Sequence, residues 1–304
     1  MTRRPALGYA MVLTAASLWA LNGAVSKVIL QSGGVSSERL TQVRATGAFL
    51  LLFAVLLAWH RRTLRVTRRE LPFLAVFGVC GLALVAWFYF VAIERLEIGV
   101  ALLIQYVAPV LVALYARYVL HEPVRRRIWA ALALSLVGLS LLLQLPNGVE
   151  LDGIGLLASA GAALTFALYI LMADRGIERR SSSSLLAYGF LFAALFWALL
   201  QPWTSFPWEL LDDSVSLLGR LESIELPVWL LMGWMVVLGT IVPFGLLVAA
   251  LRHVTPTRAG ILAMFEPVAG TIVAYLWLRE ELDPMQLAGA AVVLSGILLA
   301  QTSR

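Results

Sequence analysis

Ten windows of roughly 20 residues in this chain are apolar enough to cross a bilayer, and few architectures survive that constraint. In hydrocarbon every backbone N–H and C=O needs an internal partner, which leaves helices or a closed barrel. The alternating ten-residue pattern of barrel strands is absent, so the windows read as helices. They lie near 8–30, 40–59, 71–91, 98–118, 128–144, 153–174, 184–203, 227–250, 257–278 and 285–302. Composition agrees. The chain is 61% hydrophobic and 13% charged, with a mean hydropathy of +0.88, whereas a soluble domain has about 45–50% apolar and about 25% charged residues. The expected fold is an all-α polytopic membrane protein with ten transmembrane helices.

Met1-Thr2-Arg3-Arg4 precede a first window too long for a signal-peptide core, and no small-residue cleavage site follows, so it is kept as helix one. Cys80 is the only cysteine, which excludes an intramolecular disulfide and a cysteine-based metal site. No metal or cofactor is expected. A pI near 9.7 would suggest nucleic acid for a soluble chain. Here the arginines fall in short loops and act on orientation instead, so nucleic acid is not an expected partner. Arg3, Arg4, the Arg61–Arg69 cluster, Arg117, Arg125, Arg126, Arg127, Arg175, Arg179, Arg180, Arg252, Arg258 and Arg304 fall on one side, against Arg39, Arg95, Arg220 and Arg279 on the other. Positive loops stay inside, which predicts an even number of spans and cytoplasmic termini. The long outer loop, roughly 204–226, is acidic.

An internal repeat sharpens the topology. Residues 91–143 align without gaps on 249–301 at a constant offset of 158, placing Pro109 on Pro267, Glu122 on Glu280 and Gly138 on Gly296. SLWALNG (17–23) resembles LTFALYI (164–170), so Trp19 falls on Phe166 and Asn22 on Tyr169. Gly81 falls on Gly239. The chain therefore divides into halves at 1–146 and 147–304. Five spans per half is odd, so the halves run in opposite directions, a plan found in transporters that alternate access around a midplane site.

Residues that could serve such a site stand well inside the spans. Glu266 lies about nine residues into its window, near the bilayer midplane at ~1.5 Å per residue. An acid there is costly and faces a bundle interior or a wet cavity. It could carry a coupling proton, bind a substrate ammonium or hydrogen-bond a neighbouring helix. Pro267 and Pro109 break the helix against Ala263 and Gln105 respectively. Trp19, Trp87, Tyr89, Tyr106, Phe166, Tyr169 and Phe265 sit inside spans, away from the interfaces where Trp59, Trp129, Trp203 and Trp277 fall. With Asn22, Gln105 and Glu266 they form the expected substrate-binding set, suited to an apolar or aromatic solute with an amino-acid head group. Lys27 is read as snorkelling from the outer end of helix one. Arg44 pairs with an acid such as Glu38 or meets a substrate carboxylate. Glu122 and Glu280 are read as symmetry-related helix caps or gate contacts. Ala288-Gly289-Ala290-Ala291 allows close packing or a weak homodimer face, so a monomer and a weak homodimer both stay open.

The runs APVLVALYARYVLHEPV and EPVAGTIVAYLWLREELDPMQLAGAAVVLSGILLA, with Arg44 early in helix two, resemble the drug/metabolite transporter superfamily, and within it the ten-helix proteins carrying two EamA domains. The resemblance implies secondary transport of small metabolites, commonly amino-acid export, with aromatic amino-acid exporters of the YddG type as the nearest functional guess. It implies a multi-pass protein of the plasma membrane, the inner membrane of a bacterium, whose partners are a small-molecule substrate and the bilayer, with proton coupling open. Alternatives are a proton-coupled exporter of drugs or other metabolites, a scaffold without flux, or a membrane-embedded lipid-modifying enzyme. Against an enzyme, His60, His121 and His253 lie in separate loops, with no metal spacing, nucleophile elbow or paired intramembrane carboxylates. No P-loop is present.

Overall fold

The computed structural model describes residues 4–32, 35–93, 95–96, 98–144, 152–279 and 281–302. Among the described residues ten long helical segments follow one another, and each expected window falls on one of them. Helix one is Pro5–Ser32, helix two Ser37–Trp59, helix five Arg126–Leu142, helix six Gly153–Arg179, helix seven Ser182–Leu200 and helix ten Pro284–Thr302. Helix three joins Leu71–Gly78 to Leu84–Ile93, and helix eight joins Val228–Val236 to Val242–Ala250. Helix four is Ile98–Gln105 then Ala108–Tyr118, and helix nine Pro256–Ala263 then Phe265–Leu278. Among the described residues nine of these have the length and hydropathy of a full span, while helix five, at 17 residues, is shorter. Leu50, Leu57, Leu164, Leu199, Leu276 and Leu298 are exposed on the outside of the bundle. Such a continuous apolar surface suits lipid and would be a liability in water. The chain is an all-α polytopic membrane protein.

Helix starts follow local chemistry. The side chains of Ser36, Asp152 and Ser181 accept the amides of Arg39, Gly155 and Ser184, fixing the starts of helices two, six and seven. The interruptions repeat between the halves. Helix four stops at Gln105 and helix nine at Ala263, each four residues before a proline that lacks an N–H and presses on that carbonyl. Helix three carries a π-turn at Val79–Ala83, and helix eight carries one at Val237–Ile241. Both pairs stand at the offset that aligns 91–143 on 249–301. In helix eight Pro243 removes the amide that would bond Gly239, which accounts for the π-turn; helix three has no such proline.

Packing exchanges equivalent partners. Helix one lies against helices eight and nine, helix six against helices three and four, helix two against helix seven, and helix five against helix ten. The last pair is close because of small residues: a Cβ on Gly138 would stand 2.5 Å from the Val293 amide nitrogen, and one on Gly296 would meet Ser135. Gly289, which the sequence leaves open to close packing or a weak homodimer face, packs inside this pair against Gly138 and Leu142.

Helices two and seven are tied at both ends. Arg39, buried, donates to Gln42 Oε1 at 2.8 Å, to Pro202 O at 3.0 Å and to Ser205 Oγ at 2.6 Å. At the arginine-rich end Arg180 donates to Glu70 Oε1 at 3.1 Å, Thr63 O at 3.1 Å and Arg65 O at 3.0 Å, and Tyr188 OH donates to Leu64 O at 2.6 Å. The Thr67 backbone amide holds the Glu70 carboxyl below the usual carboxylate range; the Thr67 hydroxyl and Arg180 add to this, and partial burial opposes it. A depressed folded pKa contributes stability that is complete above the unfolded value, about 4.3, and lost as pH falls through the folded value. Glu70→Gln is therefore expected to melt lower than wild type at neutral pH. The gap should close on acidification below about pH 4, as read by thermal unfolding in detergent; a gap independent of pH would refute the assignment.

The acidic 204–226 loop is more ordered than its composition suggests. Strand β1, Ser214–Ser216, pairs antiparallel with β2, Glu225–Pro227. Trp277 Nε1 donates to Leu217 O at 2.8 Å, and the segment covers an apolar cluster of Val25, Val28 and Ile29 with Val228, Leu231 and Met232.

Candidate functional site

A cavity of about 580 Å³ lies between the halves, within the usual range for small-molecule sites. Its lining includes Lys27 and Leu30, toward the end that carries the β1–β2 segment, and an aromatic group that we call its floor. Phe244 is the hub of that floor, 5.1 Å from the Trp19 ring, 5.4 Å from Tyr169 and 5.7 Å from Phe190, all edge-on. This T-shaped geometry is the preferred one for aromatic pairs.

Two hydrogen bonds cross from half to half at its wall. Tyr106 OH donates to Glu266 Oε2 at 2.8 Å, and Arg44 Nε donates to Thr240 Oγ1 at 3.1 Å. Thr240 in turn donates to Met235 O at 2.9 Å, so its hydroxyl is oriented by the π-turn of helix eight. Arg44 and Glu266 line the same cavity and feel each other's charge, yet among the described residues they form no ion pair. Asn22 Oδ1, Gln105 Oε1 and Tyr169 OH are buried without a hydrogen-bond partner among the described residues, and all three residues line the cavity. Such groups are costly unless something meets them. Asn22 is pressed onto Gly239, where any side chain would collide with its carboxamide.

Of the residues expected from sequence, Trp19, Asn22, Tyr89, Gln105, Tyr106, Phe166, Tyr169 and Glu266 line this one cavity. Trp87 does not: it is 38% exposed and stacks on Phe88 on the opposite side of helix three from Ala86 and Tyr89. Trp87 and Tyr89 are two residues apart, about 200° around the helix axis, so equal depth does not bring both to one face. Phe265 packs into the apolar core beside Glu266 instead of into the cavity. Pro109 and Pro267 mark the two breaks, and Pro109 nests on Gly260. Glu122 is exposed beyond His121 (φ 56°), its amide bonded to Ala116 O, and stands away from the cavity. Glu280 lies outside the described residues. Lys27, read as snorkelling, lines the cavity, while Arg44 meets Thr240 rather than Glu38. Thr41, Trp197, Thr240, Phe190 and Phe244 were missed; only the folded pairing of helices two, seven and eight brings them in. Among the described residues no group of His, Cys, Asp or Glu could hold a metal ion.

Against known families, residues 6–144 and 153–302 each match the EamA-like transporter family. The chain belongs to that family. This EamA chain is 30% identical over 283 residues to an uncharacterized transporter of Archaeoglobus fulgidus, covering 92% of each. It is 28% identical to the uncharacterized transporter YwfM of Bacillus subtilis, covering 95% of this chain and 91% of the relative. It is 27% identical to the threonine/homoserine exporter RhtA of Escherichia coli K12, covering 86% and 80%. A solved crystal structure superposes with a TM-score of 0.77 at 20% identity over 96% of each chain, showing that the fold is shared. The EamA chain is thus a duplicated membrane protein similar to named transporters.

Proposed function

We propose that this EamA chain is a secondary transporter that moves small metabolites, foremost amino acids with apolar or aromatic side chains, outward across the plasma membrane. One observation carries the reading: a cavity between the halves presents Arg44 and one acid, Glu266, over an aromatic floor, with Lys27 as its other cationic lining residue. A carboxylate suits the guanidinium, an ammonium suits Glu266 with Tyr106, and the buried acceptors and hydroxyl of Asn22, Gln105 and Tyr169 supply the remaining polar partners. That RhtA is named a threonine/homoserine exporter supports the solute class. The halves, 1–146 and 147–304, rock against each other in opposite orientation, with the arginine-rich end and both termini in the cytoplasm. In this state the cavity opens outward.

A second reading, proton-coupled export of drugs or other metabolites, is favoured by Glu266, an acid inside a cavity. Both are tested by flux of labelled phenylalanine, tryptophan, methionine and threonine in proteoliposomes, with and without a pH gradient. Saturable flux is expected, slowed more by Trp19→Ala or Tyr106→Ala than by Trp129→Ala; equal effects would remove the cavity assignment. Loss of gradient response in Glu266→Gln would favour the proton-coupled reading. No flux of any amino acid would sink the solute class.

A further inference from the structure

A second hollow, about 520 Å³, opens at the arginine-rich end between helices two, seven and eight, and includes Leu52, Leu186, Ile241, Arg252 and His253. The repeat gives it a meaning. Helices two and seven both start behind a serine cap, Ser36 and Ser181. Aligned on those caps, Leu52 falls on Trp197 and Leu186 on Thr41; under the offset of the two π-turns, Ile241 falls on Ala83. Trp197, Thr41 and Ala83 all line the central cavity. The crevice is thus built from positions whose counterparts in the other half line the central cavity.

What differs is the barrier. Phe190 and Phe244 line the floor of the central cavity, while Leu186, one turn from Phe190, and Gly245, next to Phe244, line the crevice. The same alignments place Phe190 on Ala45 and Phe244 on Ala86, and both alanines line the open cavity. The asymmetry recurs beside them: Gly260 receives Pro109 at the closed end, whereas its counterpart Leu102 lines the open side.

We propose that the crevice is the second, cytoplasmic mouth of the solute path, separated from the central cavity by the Phe190–Phe244 pair. Two large rings stand where the symmetry-related positions of the central cavity carry two alanines, Ala45 and Ala86, so this end closes by a ring contact that the other side lacks. Arg252, whose Nε is buried without a partner among the described residues, and His253 give the crevice a basic lining suited to the carboxylate of an entering solute. The proposal rests on the transporter reading, but its test needs no solute.

With Cys80→Ser as background, single cysteines are placed at Ala45 in the cavity and at Ser182 in the crevice. Each is exposed to a charged, membrane-impermeant methanethiosulfonate from one side of oriented vesicles. Ser182→Cys is expected to react from the arginine-rich side and Ala45→Cys from the opposite side only. Adding Phe244→Ala, or Phe190→Ala with Phe244→Ala, should open Ala45→Cys to the arginine-rich side with a rate at least about tenfold higher, while Phe190→Leu with Phe244→Leu should not. An unchanged rate from the original side shows that the variants remain folded. An Ala45→Cys that stays closed in a folded alanine variant, or an inert Ser182→Cys, would overturn the proposal. Flux without this labelling pattern would place the path elsewhere and leave the transporter reading standing. The pattern without flux would leave the barrier standing and sink transport.

Discussion

Gly289→Leu is expected to yield little folded protein. A Cβ there would fall on the backbone of Leu142 and 2.7 Å from Gly138 O, so the obstruction is main chain and cannot swing aside. Helices five and ten would have to separate along a contact that small residues alone make close. Overpacking of this kind costs about 1–3 kcal/mol, and more where backbone must move, a large part of a typical margin of about 5–15 kcal/mol. Gly233 offers the control. It is exposed on helix eight and has nothing within 4 Å of a new Cβ, so Gly233→Leu should behave as wild type. Thermal unfolding and the monodisperse fraction in mild detergent separate the two; equal behaviour would refute the packing argument.

Arg44→Leu should abolish most transport while leaving the fold intact. Its Nε is engaged by Thr240, and among the described residues its terminal nitrogens have no recorded bond, although the side chain lines the cavity. A hydrogen bond to a charged group is worth about 1.5–3 kcal/mol, so losing a solute carboxylate contact should lower affinity by about 10- to 150-fold. Lysine is not expected to rescue, since a point charge cannot reproduce a guanidinium that bonds Thr240 with one nitrogen and a carboxylate with two others. Thr240→Val, which removes only the anchor, should cost less. The readout is KM for labelled solute in proteoliposomes; an unchanged KM in Arg44→Leu would remove Arg44 from the site.

Much of this was legible in the sequence because the membrane leaves few options. Apolar length gave the spans, and two prolines gave the breaks in helices four and nine to the residue, since a missing amide acts on a carbonyl at fixed spacing. Eight cavity residues followed from their depth in the spans. Trp87 was misplaced because it stands two residues from Tyr89, about 200° around the same helix, and depth in the bilayer does not tell the two faces apart. Phe265 failed for a related reason: depth in the bilayer says nothing about direction around the helix. Phe190 and Phe244 read as ordinary apolar residues until folding set them ring to ring. The β1–β2 hairpin was hidden because its strands are three residues each and held by contacts to helices one and eight.

The interruptions are confined to helices three, four, eight and nine, while helices one, two, five, six, seven and ten run unbroken through the described residues. Mechanically this is a frame with jointed members. Six struts carry load along their full length, and four can flex near their centres without shearing a continuous hydrogen-bond ladder. Strain applied at one end of the frame is then absorbed at mid-depth, beside the central cavity, instead of being transmitted to the far end. Compliance is concentrated in four of the ten members, at the depth of the central cavity.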